Sequence, residues 1–354
     1  MDYYINMAIL IPDSKTDYDL IILGAGPAGL SAAQYGARAN LKTAVLEKMV
    51  PGGQALNIEI LENYPGNVAH GDTPARSGFE FAEDLHKQAE SFGASFIMEG
   101  AAGITREGAF FAVALHSGKS IYAPALILAT GTEQRRLEIP GEKEFFGRGV
   151  SYCATCDGPF FKGKRILVVG GGDAACDEAQ YLSRLTDKVI LVHRKSMFRA
   201  QKSLADRVLA NPAIEVRFNT RLVEIKGESK VTSVILEGPD SKKEAARLSS
   251  KEETRLSSKE ETRLSSKEEA MDAVFIFAGS IPQTALVRDM GVKLDEAGYV
   301  ITGETMASSV PGLFAAGDVR SSPFRQVVVA AGEGAVAAHC AAAYLDTLKG
   351  INYQ

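Results

Sequence analysis

The chain has 354 residues, of which 45% are hydrophobic and 23% are charged, so it can bury sizeable cores and suits two domains. Its formal net charge of −5 argues against nucleic acid or an anionic membrane as the main partner, because no basic surplus is available to neutralise phosphates. Four cysteines are too few for a secreted disulfide scaffold. The first 18 residues carry no basic segment and no long apolar run, so we see no secretory signal and expect a cytoplasmic protein.

The first glycine turn joins a predicted strand to a predicted helix. The apolar run 18–23 predicts a strand buried on both faces, and a helix-favouring stretch follows the turn to about residue 40. The turn itself has the dinucleotide-binding spacing Gly-x-Gly-x-x-Gly, starting at Gly24. The next strand, 42–46, ends on Glu47, 23 positions after Gly24. A carboxylate there can accept both hydroxyls of an adenosine ribose and repels a 2′-phosphate, so this site is predicted to take FAD or NAD(H).

A second unit of the same kind follows. The strand 164–169 leads into the glycine turn 170–175, in which alanine replaces the third glycine, and the next strand is 188–192. At 23 positions after the first glycine of the turn stands His193 rather than an acid. Three cations follow it closely: Arg194, Lys195 and Arg199. Because cations suit a 2′-phosphate and gain nothing from a ribose diol, this second site is predicted to take NADPH.

The cysteine pattern is Cys153-Ala-Thr-Cys156, with Asp157 next. A zinc site would usually need a second pair, and Cys176, Cys340 and the five histidines offer none at ligand spacing, so no metal is predicted. A dithiol/disulfide redox pair is favoured. Asp157 would then be a proton source near the thiolate, or alternatively a helix N-cap.

Two other stretches have simple expectations. An octapeptide occurs three times, at 247–254, 255–262 and 263–270, the third copy ending on Ala270 in place of threonine. Each copy has balanced charge and one leucine. That is too little apolar surface for a solenoid core, so we expect a solvated hairpin tip or frayed helix, with a partner-docking arm as the alternative. The alanine-rich stretch 327–345 contains Glu333 and His339 and predicts a buried helix rather than a membrane span.

Taken together, these motifs resemble the low-molecular-weight, bacterial-type NADPH thioredoxin reductases, which are FAD-dependent pyridine nucleotide-disulfide oxidoreductases. The resemblance runs from about residue 18 to residue 350 and also rests on further segments: 51–54, 62–66, 129–131, 193–200, 312–319 and 325–327. It implies an α/β fold of two Rossmann-like, three-layer ββα nucleotide-binding domains. The FAD-binding domain would be discontinuous, 1–135 and 272–354. The NADPH-binding domain, 136–271, would be inserted and would carry the cysteine pair and the repeats 247–269.

The resemblance and the glycine turns together assign site residues. In the catalytic set, Cys156 would face the flavin, Cys153 would attack the partner's disulfide and Asp157 would supply a proton. The predicted FAD-binding residues are Gly24, Gly26, Pro27, Ala28, Gly29, Glu47, Lys48, Gly52, Gly53, Gln54, Asn63, Ala129, Thr130, Gly131, Gly317, Asp318, Arg325, Gln326 and Val327. The predicted NADPH-binding residues are Gly170, Gly171, Gly172, Asp173, Ala174, Ala175, His193, Arg194, Lys195 and Arg199.

Enzymes of this kind are homodimers that pass electrons from NADPH through FAD to the disulfide and then to thioredoxin, with rotation of the inserted domain between half-reactions. The chain departs from the usual pattern in its repeats, in its first 17 residues and in Lys195, where an arginine with a planar donor fork is common. The alternatives are a ferredoxin-dependent flavin thioredoxin reductase, a reductase of a peroxidase or another thioredoxin-like partner, and a non-catalytic redox sensor. The intact second glycine turn argues against the first of these.

Overall fold

The computed structural model describes residues 16–70, 73–239 and 265–351. The chain divides into two compact units, Met1–Glu133 with Ile281–Gln354 and Gln134–Ser280, which we call the flanking unit and the inserted unit. The chain crosses between them twice, at the strands β8 (Thr132–Gln134) and β17 (Ser280–Pro282).

The described part of the flanking unit contains a parallel sheet, an antiparallel sheet and three α-helices. In chain order these are β1 (Leu20–Leu23), α1 (Pro27–Arg38), β2 (Thr43–Leu46), α2 (Gly78–Ser91), β3 (Ser95–Ile97), β4 (Ala101–Glu107), β5 (Phe110–Leu115), β6 (Ser120–Ala123), β7 (Ala125–Leu128), β18 (Leu313–Ala315) and α6 (Val327–Leu348). The parallel sheet has the order β18-β7-β1-β2-β3, and the antiparallel sheet has the order β4-β5-β6.

Burial on both faces explains why the central strand of this unit is uniformly apolar. Leu20 and Ile22 pack in a cluster with side chains of α1 and α6, whereas Ile21 and Leu23 pack with the antiparallel strand β5. All four side chains are at most 2% exposed. A parallel strand that is covered on both faces consists of consecutive apolar residues, and this pattern is why the strand could be predicted from the sequence.

The inserted unit repeats this layering. Its elements are β9 (Val150–Ser151), α3 (Ala154–Asp157), β10 (Ile166–Gly170), α4 (Asp173–Ser183), β11 (Val189–Val192), α5 (Lys202–Ala210), β12 (Ile214–Arg217), β13 (Arg221–Gly227), β14 (Val231–Gly238), β15 (Ser265–Ala270) and β16 (Ala273–Phe277). A parallel sheet, β12-β11-β10-β16-β9, is covered by α4 and α5 on one face and by the antiparallel sheet β13-β14-β15 on the other. The predicted α/β class with ββα layers is confirmed.

The return crossing lies later in the chain than the predicted boundary at residue 272. The strand β16 pairs with β10 along its whole length, from Ile166 opposite Ala273 to Gly170 opposite Phe277. It is therefore a central strand of the inserted unit's sheet, and the contacts place the crossing after Ser280.

Within the described residues, α6 is the one helix that is long and apolar enough to cross a membrane. Its small residues pack against α1: a Cβ added to Gly334 would lie 2.0 Å from the carbonyl oxygen of Ala28. Ala337 and Ala341 are completely buried in the same cluster. The helix is a core element of the flanking unit, as its sequence predicts.

Residues 265–270 of the third octapeptide form the edge strand β15, so the expectation of a solvated tip or frayed helix is wrong for this part of the array. The first two copies lie outside the described residues. The strand pairs antiparallel with β14, from Ser233 opposite Ala270 to Gly238 opposite Ser265. Its Glu269 is only 9% exposed.

The ion pairs of Glu269 explain how a repeat with so little apolar surface holds its place. Its carboxylate lies 2.8 Å from a guanidinium nitrogen of Arg217 and 3.5 Å from one of Arg165. Burial alone would raise the pKa of Glu269, but the hydrogen bond and charge of Arg217 hold it below the ordinary value. The strand is therefore fastened at its C-terminal end by a charged carboxylate.

We expect deletion of residues 247–262 to leave the melting temperature and activity near wild type, because the third repeat and β15 remain. Glu269→Ala should instead lower the free energy of unfolding by about 1–3 kcal/mol, since a charged hydrogen bond is lost. Glu261→Ala, at the same position of the second repeat, is the matched control and should change nothing. Urea unfolding measures all three variants. A deletion that unfolds the protein, or equal effects of the two glutamate variants, would contradict this account.

Candidate redox and nucleotide sites

Cys153 and Cys156 form a disulfide at the start of α3, with their Cα atoms 5.4 Å apart. One helical turn brings the two side chains together, and the backbone NH of Cys156 donates to Cys153 Sγ at 3.2 Å. Ser151 fixes the first cysteine: its hydroxyl accepts from the NH of Cys153 at 3.1 Å and donates to its carbonyl oxygen at 3.2 Å. The predicted redox pair is thus brought together, and the described residues contain no cluster able to hold a metal ion.

The two sulfurs differ in exposure. Cys156 is exposed and Cys153 is partly buried. The roles assigned to them, with Cys153 attacking the partner and Cys156 facing the flavin, stay predictions.

Cys176 and Cys340 are not paired with another cysteine. Burial, followed by the charges of Asp173 and Asp177, raises the pKa of Cys176 to about 12, and burial also raises the pKa of Cys340. Because the thiolate is the reactive form, neither thiol is a good nucleophile near neutral pH. These observations match their interpretation as small packing residues.

A groove of about 410 Å³ lies beside the cysteine pair within the inserted unit. Its lining residues are Gly147, Arg148, Gly149, Val150, Ser151, Asp157, Phe160, Phe161, Ser229 and Lys230. Phe160 is 80% exposed, whereas Phe161 is partly buried with its ring edge-on to Phe275 at 6.0 Å. The groove therefore offers an exposed aromatic side chain, the cation of Arg148 and the carboxylate of Asp157.

Tyr152 and Glu142 form a pair that sequence reasoning missed. The hydroxyl of Tyr152, next to the first cysteine, donates to a carboxylate oxygen of Glu142 at 2.7 Å. The same carboxylate accepts backbone NH groups of Leu137 and Glu138 at 2.9 and 2.6 Å. Burial and the glutamate raise the pKa of Tyr152, so the phenol stays protonated. No sequence motif signals this link, because its partners are brought together only by folding.

Two positions of the first glycine turn require glycine. Gly24 has φ +98°, and a Cβ there would lie 2.5 Å from the carbonyl oxygen of Ala129. A Cβ on Gly29 would lie 1.8 Å from the carbonyl oxygen of Gly24. The Glu47 carboxylate reaches this turn and accepts the NH of Ala25 at 2.9 Å. The N-terminus of α1 and an acid thus meet at the carboxyl edge of the sheet.

Other predicted FAD-binding residues converge on the same edge. The NH of Gly52 donates to the carbonyl oxygen of Ala25 at 2.7 Å, and Asn63 Nδ2 donates to Gln326 Oε1 at 2.9 Å. A Cβ on Gly317 would lie 2.9 Å from that of Ala28 in α1. Further bonds fix two more predicted residues: Gln54 Nε2 to Thr132 Oγ1 at 3.1 Å and Thr130 Oγ1 to the carbonyl oxygen of Gln283 at 2.7 Å. Hydrogen bonds thus join segments of the flanking unit that are far apart in sequence.

Lys48 differs from these residues. It is exposed, and its Nζ lies 3.8 Å from a carboxylate oxygen of Glu133, which is also exposed. The structure gives this lysine a surface ion pair.

Two polar side chains at this edge are partly buried. Burial raises the pKa of Asp318, which the charge of Arg325 partly offsets. The Arg325 guanidinium stacks 3.9 Å from the ring centroid of Tyr299, and its buried Nε finds no hydrogen-bond partner among the described residues. A buried orphan donor beside a largely buried acid fits a site that is completed by a polar ligand.

The second glycine turn is equally tight. A Cβ on Gly170 would lie 2.6 Å from Ala175 Cβ, and a Cβ on Gly171 would lie 2.3 Å from His193 Nδ1. Gly172 faces open space and becomes the N-cap of α4. This turn again leaves a helix N-terminus at the carboxyl edge of a parallel sheet.

His193 is a packing residue under that turn. It is only 5% exposed, and its pKa is lowered by burial and by the charges of Arg199, Arg194 and Lys195. The ring is therefore neutral at pH 7 and adds no positive charge to the basic cluster. Its Nε2 has no hydrogen-bond partner in the described part of the chain.

The three cations that follow are exposed, and no carboxylate of the described residues forms an ion pair with them. The NH of Arg199 donates to the carbonyl oxygen of Gly171 at 2.7 Å, which ties the basic loop to the turn. Asp173, which is also predicted to bind the nucleotide, makes hydrogen bonds within the protein. Its two carboxylate oxygens accept the backbone NH and the side-chain amide of Gln201 at 2.8 and 2.9 Å. It fixes the start of α5.

The sequence matches the pyridine nucleotide-disulphide oxidoreductase family over residues 18–334. The chain belongs to this family. Members of it are similar over nearly the whole chain: the thioredoxin reductase of Treponema pallidum is 50% identical over 335 residues, covering 95% of this chain and 99% of that protein. The thioredoxin reductase of Bacillus subtilis is 39% identical and covers 94% and 96%.

Solved structures agree. Thioredoxin reductase from Lactococcus lactis superposes with a TM-score of 0.82 at 36% identity, covering 93% of this chain and 99% of that one. The enzyme from T. acidophilum gives a TM-score of 0.79 at 32% identity, with 92% and 98% coverage. The predicted family and its two-domain Rossmann-like fold are confirmed.

Proposed function

We propose that this chain is an NADPH-dependent thioredoxin-disulfide reductase that uses FAD. The observation that carries the proposal is the Cys153–Cys156 disulfide in the same unit as a glycine turn followed by exposed cations. Relatives named thioredoxin reductase support thioredoxin or a thioredoxin-like protein as the partner. The proposal also includes that the enzyme is a homodimer and that it acts in the cytoplasm.

The flanking unit fits FAD. Its glycine turn leaves room for a pyrophosphate at the N-terminus of α1, and Glu47 lies where an adenosine ribose would be held. The buried carboxyl group of Asp318 and the orphaned Nε of Arg325 are groups that the rest of the cofactor would satisfy. When bound, the flavin would carry two electrons from the nicotinamide to the disulfide.

The inserted unit fits NADPH better than NADH. The exposed cations Arg194, Lys195 and Arg199 follow β11 at the carboxyl edge of the sheet, beside the open Gly172. Because no acid occupies the position equivalent to Glu47, a 2′-phosphate meets attraction rather than repulsion. These features favour the NADPH-dependent enzyme over the ferredoxin-dependent alternative.

The reduced cysteines can pass two electrons to a partner by thiol–disulfide exchange. The Cys153 thiolate attacks one sulfur of the partner's disulfide, forming a mixed disulfide and releasing a partner thiolate. Cys156 then attacks Cys153 Sγ, which restores the Cys153–Cys156 bond and releases the second partner thiolate. Asp157, whose NH donates to the carbonyl oxygen of Cys153 at 3.2 Å, is the acid assigned to protonate a leaving thiolate.

The function is tested by serine variants of the cysteines. Cys153→Ser should retain reduction of bound flavin by NADPH but lose thioredoxin reduction, because the attacking thiolate is gone. Cys156→Ser should also lose turnover, because the disulfide cannot form. Cys340→Ser is the control and should turn over normally, since that thiol is partly buried and unpaired. Steady-state NADPH oxidation with thioredoxin measures all three, and full turnover in either variant of the pair would refute the redox role.

The nucleotide assignment is tested by an absorbance spectrum and one variant. The purified protein should show flavin bands that NADPH bleaches at far lower concentration than NADH. Arg194→Ala should raise the KM for NADPH about 10- to 150-fold, because a charge-assisted hydrogen bond is worth about 1.5–3 kcal/mol. The KM for NADH should barely change. Lys188→Ala, at the opposite end of β11, is the matched control; equal losses with both nucleotides would reject the assignment.

The groove beside the disulfide is our candidate for the thioredoxin contact. Arg148 and Phe160 are exposed there, and such side chains are common interface anchors, so each alanine variant should raise the KM for thioredoxin about 5- to 30-fold. Phe161→Ala should mainly lower stability, because that ring packs on Phe275. Leu209→Ala, an exposed apolar residue on α5, is the control. An unchanged KM in the Arg148 and Phe160 variants would place the contact elsewhere.

A further inference from the structure

A buried ion pair supports the turn that carries Asp318. Glu333, on the second turn of α6, accepts the backbone NH of Gly317 at 2.8 Å through one oxygen and pairs with the Arg320 guanidinium through the other. Arg320 Nε also donates to Thr302 Oγ1 at 2.9 Å. The side chains of Glu333 and Arg320 are only 10% and 14% exposed. One carboxylate thus fastens both ends of the Gly317–Val319 turn to α6.

The turn has little freedom apart from these bonds. Gly317 has φ +76°, and a Cβ there would meet Ala28 of α1 at 2.9 Å and Ala330 of α6 at 3.6 Å. The NH of Arg320 donates to the carbonyl oxygen of Gly317 at 3.1 Å, which closes the turn. Asp318 is therefore placed by a backbone that lies between the glycine-turn helix and α6.

A contribution to stability alone does not explain why a charged residue stands at position 333. Its charge raises the pKa of the neighbouring acid, Asp318, and so adds to the effect of burial. Replacement of a buried ion pair by apolar residues is often neutral or stabilising, so a carboxylate kept here calls for another reason. An apolar side chain could not accept the NH of Gly317, and a carboxylate without Arg320 would lose its guanidinium partner beside the acid Asp318.

We propose that Glu333, together with Arg320, is a positioning residue for the FAD site: it holds the Gly317–Val319 turn so that Asp318 meets the cofactor. This inference rests on the proposed function, because it takes Asp318 as a cofactor contact. The same helix begins at Val327, directly after Arg325 and Gln326, so α6 carries two parts of the site in a fixed relation.

The test measures FAD affinity of the apoprotein by flavin fluorescence. Glu333→Ala removes both bonds and should raise the dissociation constant for FAD at least about 10-fold. Glu333→Gln should also weaken binding, because a single amide oxygen cannot serve both the NH of Gly317 and Arg320. In the double variant Glu333→Gln/Arg320→Gln, the amide oxygen at position 333 still accepts the NH, and no buried guanidinium is left without its carboxylate. It should bind FAD within about threefold of wild type.

Glu269→Ala is the matched control. It removes an equally buried carboxylate, 8% exposed in its side chain and paired with Arg217, from the inserted unit. It should lower the melting temperature of the apoprotein while leaving FAD affinity within about twofold of wild type. If Glu333→Ala fails to fold, as judged by circular dichroism, Glu333→Gln and the double variant carry the test.

The possible outcomes distinguish failure of the proposed function from failure of the positioning role alone. Wild-type protein that binds no FAD would overturn the proposed function and this inference with it. Wild-type protein that binds FAD, with Glu333 variants that bind equally well and lose only melting temperature, would overturn the positioning role alone. A double variant that binds no better than Glu333→Gln would do the same.

Discussion

The structure depends first on the close approach of backbone to backbone at the glycine turns. At Gly29 the helix α1 lies so near the turn that a single methyl group would overlap the carbonyl oxygen of Gly24. This approach brings unpaired NH groups of the helix N-terminus to the end of the central strand, where an anion can be bound. In the second turn the crowded position is the first glycine, Gly170, where the side chain of Ala175 and the carbonyl oxygen of Phe277 leave no room for a Cβ.

From this shared constraint the two units diverge through the residues next to the turn. In the flanking unit Glu47 reaches the turn and accepts a backbone NH, so the local charge is negative. In the inserted unit the equivalent position holds His193, which is buried and neutral, and the charge comes from the exposed cations that follow. Two units with one architecture can therefore favour different nucleotides, because the charge beside the turn differs between them.

Buried carboxylates fasten loops to the core in both units. Glu333 holds the Gly317–Val319 turn, Glu142 holds the backbone at 137–138 and Tyr152, and Glu269 holds the edge strand β15. Each accepts from backbone NH groups, a phenol or a guanidinium, which compensates the cost of removing its charge from water. Two of these links end within two residues of predicted site residues, Asp318 and Cys153. These links are made by carboxylates that lie outside the recognised motifs.

The sequence by itself determined the features that depend on local backbone requirements. Buried parallel strands need apolar runs, tight turns need glycine, and a redox pair needs two cysteines one helical turn apart, so β1, β10, both turns and Cys153–Cys156 were visible in the chain. The helix α2 could have been found as well, because Ser77 and Glu80 form a capping box. Only the tertiary structure decided the rest. It brought Asn63 to Gln326, 263 positions away, gave Glu333 its partners, turned the third repeat into β15 and buried His193 as a neutral ring. Such pairings depend on which surfaces meet in three dimensions. The identity of a charged or amide residue in the sequence does not indicate which residue it will contact after folding.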